Sequence, residues 1–318
     1  MHFFSAFAVV LTLFIAAIAL AVIFGGPSAP TAMPSVNNPF SEVDYSDLPE
    51  LSHYTARDGQ SLAFRRYAAA AATPKGSAVL LHGSSADSRS MHVVAKALSA
   101  QGFNVLALDV RGHGGSGVKG KIAYVGQLEH DLQDFVAEVK PLAPTTLVGF
   151  SSGGGFALRV AGSERSTLFD RYMLLAPFVS QEAPTYRSDS GGWVKVGVPR
   201  YLALLMLNQV GIEQFNYLPV VSYALNDSAR ESLTPEYSFN LAQNYRPEPN
   251  YLATIGRLGK PTQVLVGEQD EMFYPDQFAE VFRSANQHVP VTVVDGANHI
   301  GLTLMPAALD AITQAMVD

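Results

Sequence analysis

The sequence predicts an α/β protein in which helices flank a mostly parallel sheet, with a cap inserted late in the chain and one apolar helix at the N-terminus. Three observations indicate this fold class. Short apolar segments alternate with amphipathic helical segments across residues 76–178 and again across 259–318, a pattern typical of parallel sheets. The alternation stops at residues 181–258, which hold an apolar helical segment of their own. Residues 3–24 contain no charged side chain.

Composition and charge narrow the functional classes. The chain has 318 residues, a net charge of −7 and no basic stripe, which argues against a nucleic-acid partner. It has no cysteine, so disulfides, thiolate metal sites and a cysteine nucleophile are all excluded. Acidic residues at metal-binding spacing are also missing from the sequence, and we therefore expect neither a metal nor a cofactor.

The N-terminal segment, residues 1–26, is predicted to be a transmembrane anchor or a signal segment. A helix over residues 3–24 would be roughly 33 Å long, enough to cross a hydrocarbon core of about 30 Å. No Lys or Arg precedes it, and the candidate cleavage site at Ala29 is followed by Pro30, both atypical of signal peptides. Acidic residues follow the helix, so we expect an anchor with the body on the extracytoplasmic side. Secretion after cleavage is the alternative. The proline-rich residues 27–50 are predicted to be a linker.

The predicted core comprises residues 51–180 and 259–318. Its first element is a β-hairpin around Asp58-Gly59, a pair that favours a tight turn. The predicted parallel strands are 76–81, 103–110, 145–150, 172–178, 262–266 and 291–294. The predicted helices between and after them are 90–101, 127–139, 275–285 and 306–317. In such sheets the reactive residues gather at the carboxyl ends of the strands.

A candidate nucleophile follows the predicted strand at residues 145–150. Residues 149–153 read Gly-Phe-Ser-Ser-Gly, which fits the Gly-x-Ser-x-Gly pattern of a strand–turn–helix elbow. The flanking positions must be small because the turn is tight, and glycine has no Cβ to clash. Ser151 meets this requirement, whereas Ser152 has Phe150 two residues before it. The free N–H groups of the following helix would face any anion formed at Ser151.

A serine nucleophile needs a base, and His299 is the candidate. Of the eight histidines, only His288 and His299 follow Asp270, an acidic residue considered below. His299 lies just beyond the predicted strand 291–294, at the same sheet edge as Ser151. His288 lies where a helix joins that strand, on the opposite edge, and is discarded.

The base in turn needs an acid that orients its ring, and Asp270 is the candidate. It stands three residues past Gly267, which ends a predicted strand. Glu268, Glu271 and Asp276 are the alternatives. The order along the chain is therefore nucleophile, acid, base.

From about residue 51 onward the chain resembles the serine hydrolases of the α/β-hydrolase fold, and within them the lysophospholipase and monoacylglycerol-lipase-like branch. The order serine, acid, histidine is the order of that fold. Besides the elbow, the resemblance is carried by His82-Gly83, Asp109-x-Arg111-Gly112-His113-Gly114-x-Ser116, Gly267-x-x-Asp270 and Asn298-His299.

The resemblance implies an oxyanion hole built from two backbone N–H groups. One belongs to Ser152, after the nucleophile, and the other to Ser84, just past the His-Gly pair. Many esterases have three glycines after that histidine, whereas this chain has Gly-Ser-Ser, so the second donor is placed only to within one residue. His82, Arg111 and His113 are expected to brace loops rather than to act chemically.

The predicted cap, residues 181–258, contains seven tyrosines and the only tryptophan of the chain. The apolar helix at residues 198–210 is predicted to line a tunnel for an acyl chain, with ordinary core packing as the alternative. Its candidate substrate contacts are Leu202, Leu205 and Met206.

Together these features predict a hydrolase that cleaves carboxylic esters through an acyl-enzyme. The expected substrates are lipid-like or medium-chain acyl esters, such as a monoacylglycerol or a lysophospholipid. The predicted partners are this ester and a membrane, which the N-terminal helix would enter. A peptidase, a C–C bond hydrolase and an acyltransferase using the same three residues are alternatives, as is a non-catalytic binding protein with this fold.

Overall fold

Strands and helices alternate along most of the chain, in agreement with the sequence pattern. The computed structural model describes residues 2–188, 192–285 and 287–317. The strands are β1 Leu51–Thr55, β2 Ser61–Tyr67, β3 Ser77–Leu81, β4 Asn104–Leu108, β5 Thr145–Phe150, β6 Arg171–Leu175, β7 Val194–Val196, β8 Pro219–Tyr223, β9 Glu236–Ser238, β10 Thr262–Gly267 and β11 Val291–Val294. The helices are α1 His2–Phe24, α2 Pro34–Asn37, α3 His92–Ala100, α4 Gln127–Val139, α5 Ser152–Ala161, α6 Val198–Gln209, α7 Asp227–Ser232, α8 Phe239–Asn244, α9 Tyr251–Gly256, α10 Phe278–Ser284 and α11 Pro306–Val317.

Eight strands form one sheet in the order β1-β2-β4-β3-β5-β6-β10-β11. Strands β1 and β2 form the hairpin predicted at Asp58-Gly59, with Thr55 paired to Ser61, and β2 is also antiparallel to β4. The remaining neighbours are parallel. The predicted α/β class with a mostly parallel sheet is therefore confirmed, and the parallel strands end at one shared edge.

The central strands are apolar on both faces because helices cover both sides of the sheet. Strands β3 and β5 are buried along almost their whole length, as expected for parallel strands. Helix α5 comes very close to the end of β3, since a Cβ placed on Gly153 would lie 2.4 Å from the His82 carbonyl oxygen. This close approach brings the start of α5 beside the loop of residues 82–85.

The cap lies between β6 and β10, and its centre is a second sheet that the sequence pattern does not predict. Strands β7, β8 and β9 are antiparallel in that order. Strands β7 and β9 have only three residues each, too few for an alternating pattern to be recognised. At this sheet the ring of Tyr223 packs between the rings of Trp193 and Tyr237.

Helix α1 is long and apolar enough over Phe7–Phe24 to cross a membrane, by length and composition. A signal sequence would meet the same test. Most of this helix is exposed, unlike the core helix of a soluble protein. Its last turns pack against α6, where Ile18, Ala21 and Val22 join an apolar cluster with Leu204.

The linker predicted over residues 27–50 is corrected by the structure from Met33 onward. Met33, Val36 and Phe40 pack against the main core. The Met33 N–H also donates to the carbonyl oxygen of Ala224 in the cap over 3.1 Å. Prolines and small polar residues suggested a free linker, but the few large apolar side chains between them find burial on the body. These residues therefore belong to the folded unit.

Candidate active site

Ser151 stands at the turn between β5 and α5, at the carboxyl edge of the sheet. Its φ of 54° lies in a region that side-chain-bearing residues seldom adopt. Glycines on both sides make the turn possible, since a Cβ placed on Gly149 would lie 2.2 Å from the Gly153 carbonyl oxygen. The Ser151 N–H donates to the Leu175 carbonyl oxygen over 2.9 Å, which ties the turn to β6. A strained serine held in this way is typical of a nucleophile elbow.

The His299 ring lies between Ser151 and Asp270. Its Nε2 is 3.1 Å from Ser151 Oγ, and its Nδ1 is 2.8 Å from Asp270 Oδ2. A carboxylate can only accept, so Nδ1 carries the proton and Nε2 is left to accept the serine O–H. The rings of Phe150 and Phe273 pack on the imidazole at 4.9 and 5.3 Å between centroids. The ring is thereby held in one orientation.

Asp270 is buried in the turn that follows β10. Its Oδ1 accepts the N–H groups of Met272 and Phe273, each over 2.8 Å, which leaves Oδ2 for His299. These two N–H bonds fix the direction of the carboxylate. The structure therefore places Asp270 in the orienting position beside His299.

The alternative acids and the alternative base lie elsewhere. Glu268 accepts the Gly296 N–H, and Glu271 accepts the backbone N–H of His299 rather than its ring. Asp276 and His288 are exposed at the surface. None of these side chains reaches the imidazole of His299.

The two N–H groups proposed for an oxyanion hole both border Ser151. Ser152 begins α5, so its N–H has no helical partner. The N–H of Ser85, the neighbouring alternative, already donates to the Tyr237 hydroxyl over 2.7 Å. Among the described residues, the Ser84 N–H donates to no protein group. Of these two neighbours, Ser84 is therefore the one whose N–H stays available to an oxyanion.

Side chains and backbone groups of the cap hold the loop of residues 82–85, and no motif in the sequence predicts these contacts. Trp193 Nε1–H donates to Ser84 Oγ over 3.0 Å. Ser85 Oγ donates to the Thr234 carbonyl oxygen over 2.6 Å, while the Thr234 N–H donates to the Ser85 carbonyl oxygen over 2.9 Å. The Tyr245 hydroxyl donates to the His82 carbonyl oxygen. The one signal in the sequence was the concentration of tyrosines and the single tryptophan in the cap.

Tyr237 and His113 extend this network under the loop. The His113 Nδ1–H donates to the Val110 carbonyl oxygen over 3.1 Å, so its Nε2 accepts the Tyr237 hydroxyl proton over 2.6 Å. Burial lowers the pKa of His113 well below its usual value, because the charged ring would be desolvated. Burial likewise raises the pKa of Tyr237. Both groups are therefore neutral near neutral pH.

The contacts of His82 and Arg111 agree with the structural roles expected for them. The His82 Nδ1–H donates to the Gly83 carbonyl oxygen over 2.8 Å, and burial lowers the pKa of its ring. Arg111 is paired with Asp131 at 2.7 Å and with Asp58 at 2.9 Å. Neither side chain lines the cavities beside Ser151.

Two cavities meet at Ser151, and both are bordered by Ser84, Trp193 and Met272. We call the first the N-terminal chamber, of about 340 Å³, because the segment before β1 supplies part of its wall; its apolar lining includes Val36, Phe40, Tyr45, Leu225, Leu233 and Ile300. We call the second the cap chamber, of about 440 Å³; its apolar lining includes Phe178, Val196, Val198, Tyr201, Tyr223 and Phe273.

The candidate substrate contacts Leu202, Leu205 and Met206 line neither chamber, which corrects that prediction. Leu202 and Met206 are 52% and 49% exposed on the outside of the cap. Leu205 packs into the cluster shared with α1. Helix α6 reaches the cap chamber instead through its first turn, at Val198 and Tyr201. Nearly every face of this helix is apolar, so periodicity could not show which face is turned inward.

The sheet order, the elbow after β5 and the inserted cap define an α/β-hydrolase fold. The chain belongs to the family described as Hydrolase_4, serine aminopeptidase, S33, which matches residues 72–303.

Three proteins to which the chain is similar are named monoacylglycerol lipase or monoglyceride lipase. It is 39% identical to a monoacylglycerol lipase of Mycolicibacterium smegmatis over 88 residues, 26% of this chain and 31% of that protein. It is 27% identical to a monoglyceride lipase of Homo sapiens over 197 residues, 57% of this chain and 63% of that protein. The chain thus spans less than two thirds of either relative. The structure of a soluble monoglyceride lipase variant from Saccharomyces cerevisiae matches with a TM-score of 0.61 at 18% identity, covering 84% of this chain and 93% of that chain, and this likeness shows the fold.

Proposed function

We propose that the protein is a serine hydrolase that cleaves carboxylic esters of lipid-like or medium-chain acids, with Ser151 as the nucleophile. The observation that carries this proposal is the alignment of Ser151 Oγ, the His299 ring and Asp270 at 3.1 and 2.8 Å. This alignment lies where two apolar chambers meet, so an ester carbonyl at Ser151 would have room on both sides. The relatives named as monoacylglycerol lipases support a lipid ester as the substrate class.

In the acylation step, Ser151 Oγ attacks the ester carbonyl carbon while His299 Nε2 takes the hydroxyl proton. Asp270 stabilises the imidazolium that forms. The negative charge on the carbonyl oxygen is held by the N–H groups of Ser84 and Ser152. His299 then gives its proton to the leaving alkoxide oxygen, the C–O bond breaks, and the alcohol departs.

Deacylation repeats these steps with water in place of serine. His299 Nε2 takes a proton from the water as it attacks the acyl carbon, and the same two N–H groups hold the oxyanion. The proton then returns to Ser151 Oγ as the acyl–oxygen bond breaks. The products are a carboxylic acid and the free enzyme.

The lining of the chambers favours an ester over a peptide with a free α-amine. An aminopeptidase needs a carboxylate, or a similar acceptor set, to bind the substrate's ammonium group. Asp87 is the acidic side chain among the described residues that line the two chambers. It is paired with Arg89 at 2.7 Å, so its charge is already compensated.

The proposal includes retention of α1 as a membrane anchor, with the body on the extracytoplasmic side; secretion after cleavage is the alternative. Retention is supported by the close packing of the residues just after α1 on the cap. A Cβ placed on Gly25 would lie 2.8 Å from the backbone nitrogen of Arg200, and one on Gly197 would lie 2.7 Å from the Gly25 carbonyl oxygen. Signal cleavage at Ala29 would remove Gly25 and with it this contact to the cap.

The function is tested with the full-length protein in detergent, using a fluorophosphonate probe and side-by-side p-nitrophenyl esters and aminoacyl p-nitroanilides. We expect covalent labelling and ester cleavage by the wild type, and loss of both in Ser151→Ala. Labelling that persists in Ser151→Ala would refute the proposed nucleophile. If the wild type cleaves only the anilides, the proposed esterase activity is wrong and the protein is a peptidase.

A further inference from the structure

The outer face of α6, together with the residue just after it, carries a row of large apolar side chains that are about half exposed or more. Val198, Leu202, Met206 and Val210 are 53%, 52%, 49% and 71% exposed. Residues four apart lie above one another on a helix, so the first three form one row, and Val210 extends that row directly after the last helical residue. We call this row the outer stripe.

The outer stripe is unusual because the segment around it lacks charge. A helix at the surface of a soluble body normally turns charged or polar side chains outward. Here no charged residue occurs between Arg200 and Glu213. The opposite side of α6 is also apolar, with Ala203 and Leu204 buried. A face of this kind indicates contact with an apolar partner.

Helix α1 supplies the first indication of what that partner is. The last turns of α1 pack against α6, through Ile18, Ala21 and Val22. Other described side chains of α1 are as apolar and exposed as the outer stripe, with Leu13 at 64% and Leu20 at 57%. The apolar surfaces of the two helices are therefore neighbours on the outside of the protein.

Arg200, at the start of α6, fixes this arrangement. Its Nε donates to the Val22 carbonyl oxygen over 2.7 Å, and its Nη2 donates to that of Ile23 over 2.9 Å. The Arg200 backbone N–H also donates to the Gly25 carbonyl oxygen over 3.2 Å. A cation placed on the last carbonyls of a helix satisfies its unpaired acceptors and complements its dipole. The end of α1 is thus seated on the first turn of α6.

We infer that the outer stripe of α6 contacts the lipid bilayer that α1 enters, so that the cap is attached to the membrane by two adjoining helices. This inference rests on the proposed role of α1 as a retained anchor. Arg200 lies at this boundary, with its guanidinium on the last carbonyl oxygens of α1, and arginines are common where a helix leaves the membrane. Val198 belongs both to the stripe and to the lining of the cap chamber, so that chamber lies next to the lipid.

The absence of cysteine allows a direct test on the full chain. A single cysteine at Met206 carries an environment-sensitive fluorophore, and the labelled protein is reconstituted into phosphatidylcholine vesicles with or without brominated lipid. Val118→Cys is the matched control, because Val118 is equally apolar and 68% exposed but lies outside the cap. We expect blue-shifted emission quenched by brominated lipid at position 206, and water-like, unquenched emission at 118. Water-like emission at both positions would overturn the inference. A blue shift that lipid does not quench, with disulfide-linked dimers of unlabelled Met206→Cys, would assign the stripe to a second copy instead.

A second measurement separates this inference from the proposed function. The double variant Leu202→Asp with Met206→Asp is compared with wild type and Val118→Asp on p-nitrophenyl acetate in solution and on a monoacylglycerol carried in vesicles. We expect the double variant to keep its rate on the soluble ester and to lose at least about tenfold on the vesicle substrate, since charged residues are excluded from the lipid interface. Equal rates of the double variant and the wild type on the vesicle substrate would refute the membrane contact and leave the proposed hydrolase function unaffected. No ester hydrolysis by the wild type would instead refute the proposed function.

Discussion

Replacing Tyr237 by phenylalanine tests whether the cap positions the oxyanion loop. The Tyr237 hydroxyl accepts the Ser85 N–H over 2.7 Å and donates to His113 Nε2 over 2.6 Å. Phenylalanine fills the same volume but leaves both buried groups without a partner. Each such group costs about 1–3 kcal/mol, so ~2–6 kcal/mol of folding stability is lost if the loop does not relax.

Relaxation of the loop would instead appear as lost activity. Any shift that gives the Ser85 N–H a new partner also moves Ser84, whose N–H is the proposed oxyanion donor. Loss of one such donor lowers kcat by about 10²–10³-fold. We therefore expect Tyr237→Phe to reduce both the melting temperature and kcat, with KM little changed because phenylalanine fills the place of Tyr237 in the wall of the cap chamber.

Steady-state kinetics with p-nitrophenyl esters and thermal melts are the assays, and Tyr172→Phe is the control. Tyr172 is a buried tyrosine whose hydroxyl donates to the Ser166 carbonyl oxygen over 2.9 Å, away from Ser151. Its phenylalanine variant should lose stability and keep kcat. If Tyr237→Phe also keeps wild-type kcat and differs from the control only in stability, the cap does not position the loop.

Three further predictions follow from the same site. His299→Ala should lower kcat by several orders of magnitude, and Asp270→Asn should be severe as well because it favours the wrong imidazole tautomer; a near-wild-type Asp270→Asn would move the acid to Glu271. Extending the acyl chain by four methylenes should raise kcat/KM by up to about 200-fold at about 0.8 kcal/mol per methylene, and a preference for acetyl esters in a graded p-nitrophenyl panel would contradict it. Burial lowers the pKa of His113, so the unfolded chain binds a proton that the folded one excludes; stability should therefore fall as pH drops below about 6.5, and His113→Gln should flatten this slope in urea unfolding, whereas an unchanged slope would show that His113 is not responsible.

Local sequence determined the sheet, the elbow and the expected positions of the site residues. Strand alternation predicts a parallel sheet, and a parallel sheet brings the ends of β5, β10 and β11 to one edge whatever the loops do. The small residues around Ser151 follow from the tight turn, and residues beyond β10 and β11 then face it. Asp270 could be chosen over its neighbours in the sequence only by position, whereas the structure shows which carboxylate faces the ring.

Tertiary structure alone decided the features that depend on which surface meets which. Helix α6 is apolar on nearly all sides, so only its packing against α1 showed that Leu202 and Met206 face outward. The hydrogen bonds from the cap to residues 82–85 join residues more than a hundred positions apart, which no local pattern encodes. The residues before β1 became the wall of a chamber because Val36 and Phe40 had an apolar surface within reach. Periodicity determines which residues share a face, but the partner of that face is chosen by burial across the whole chain.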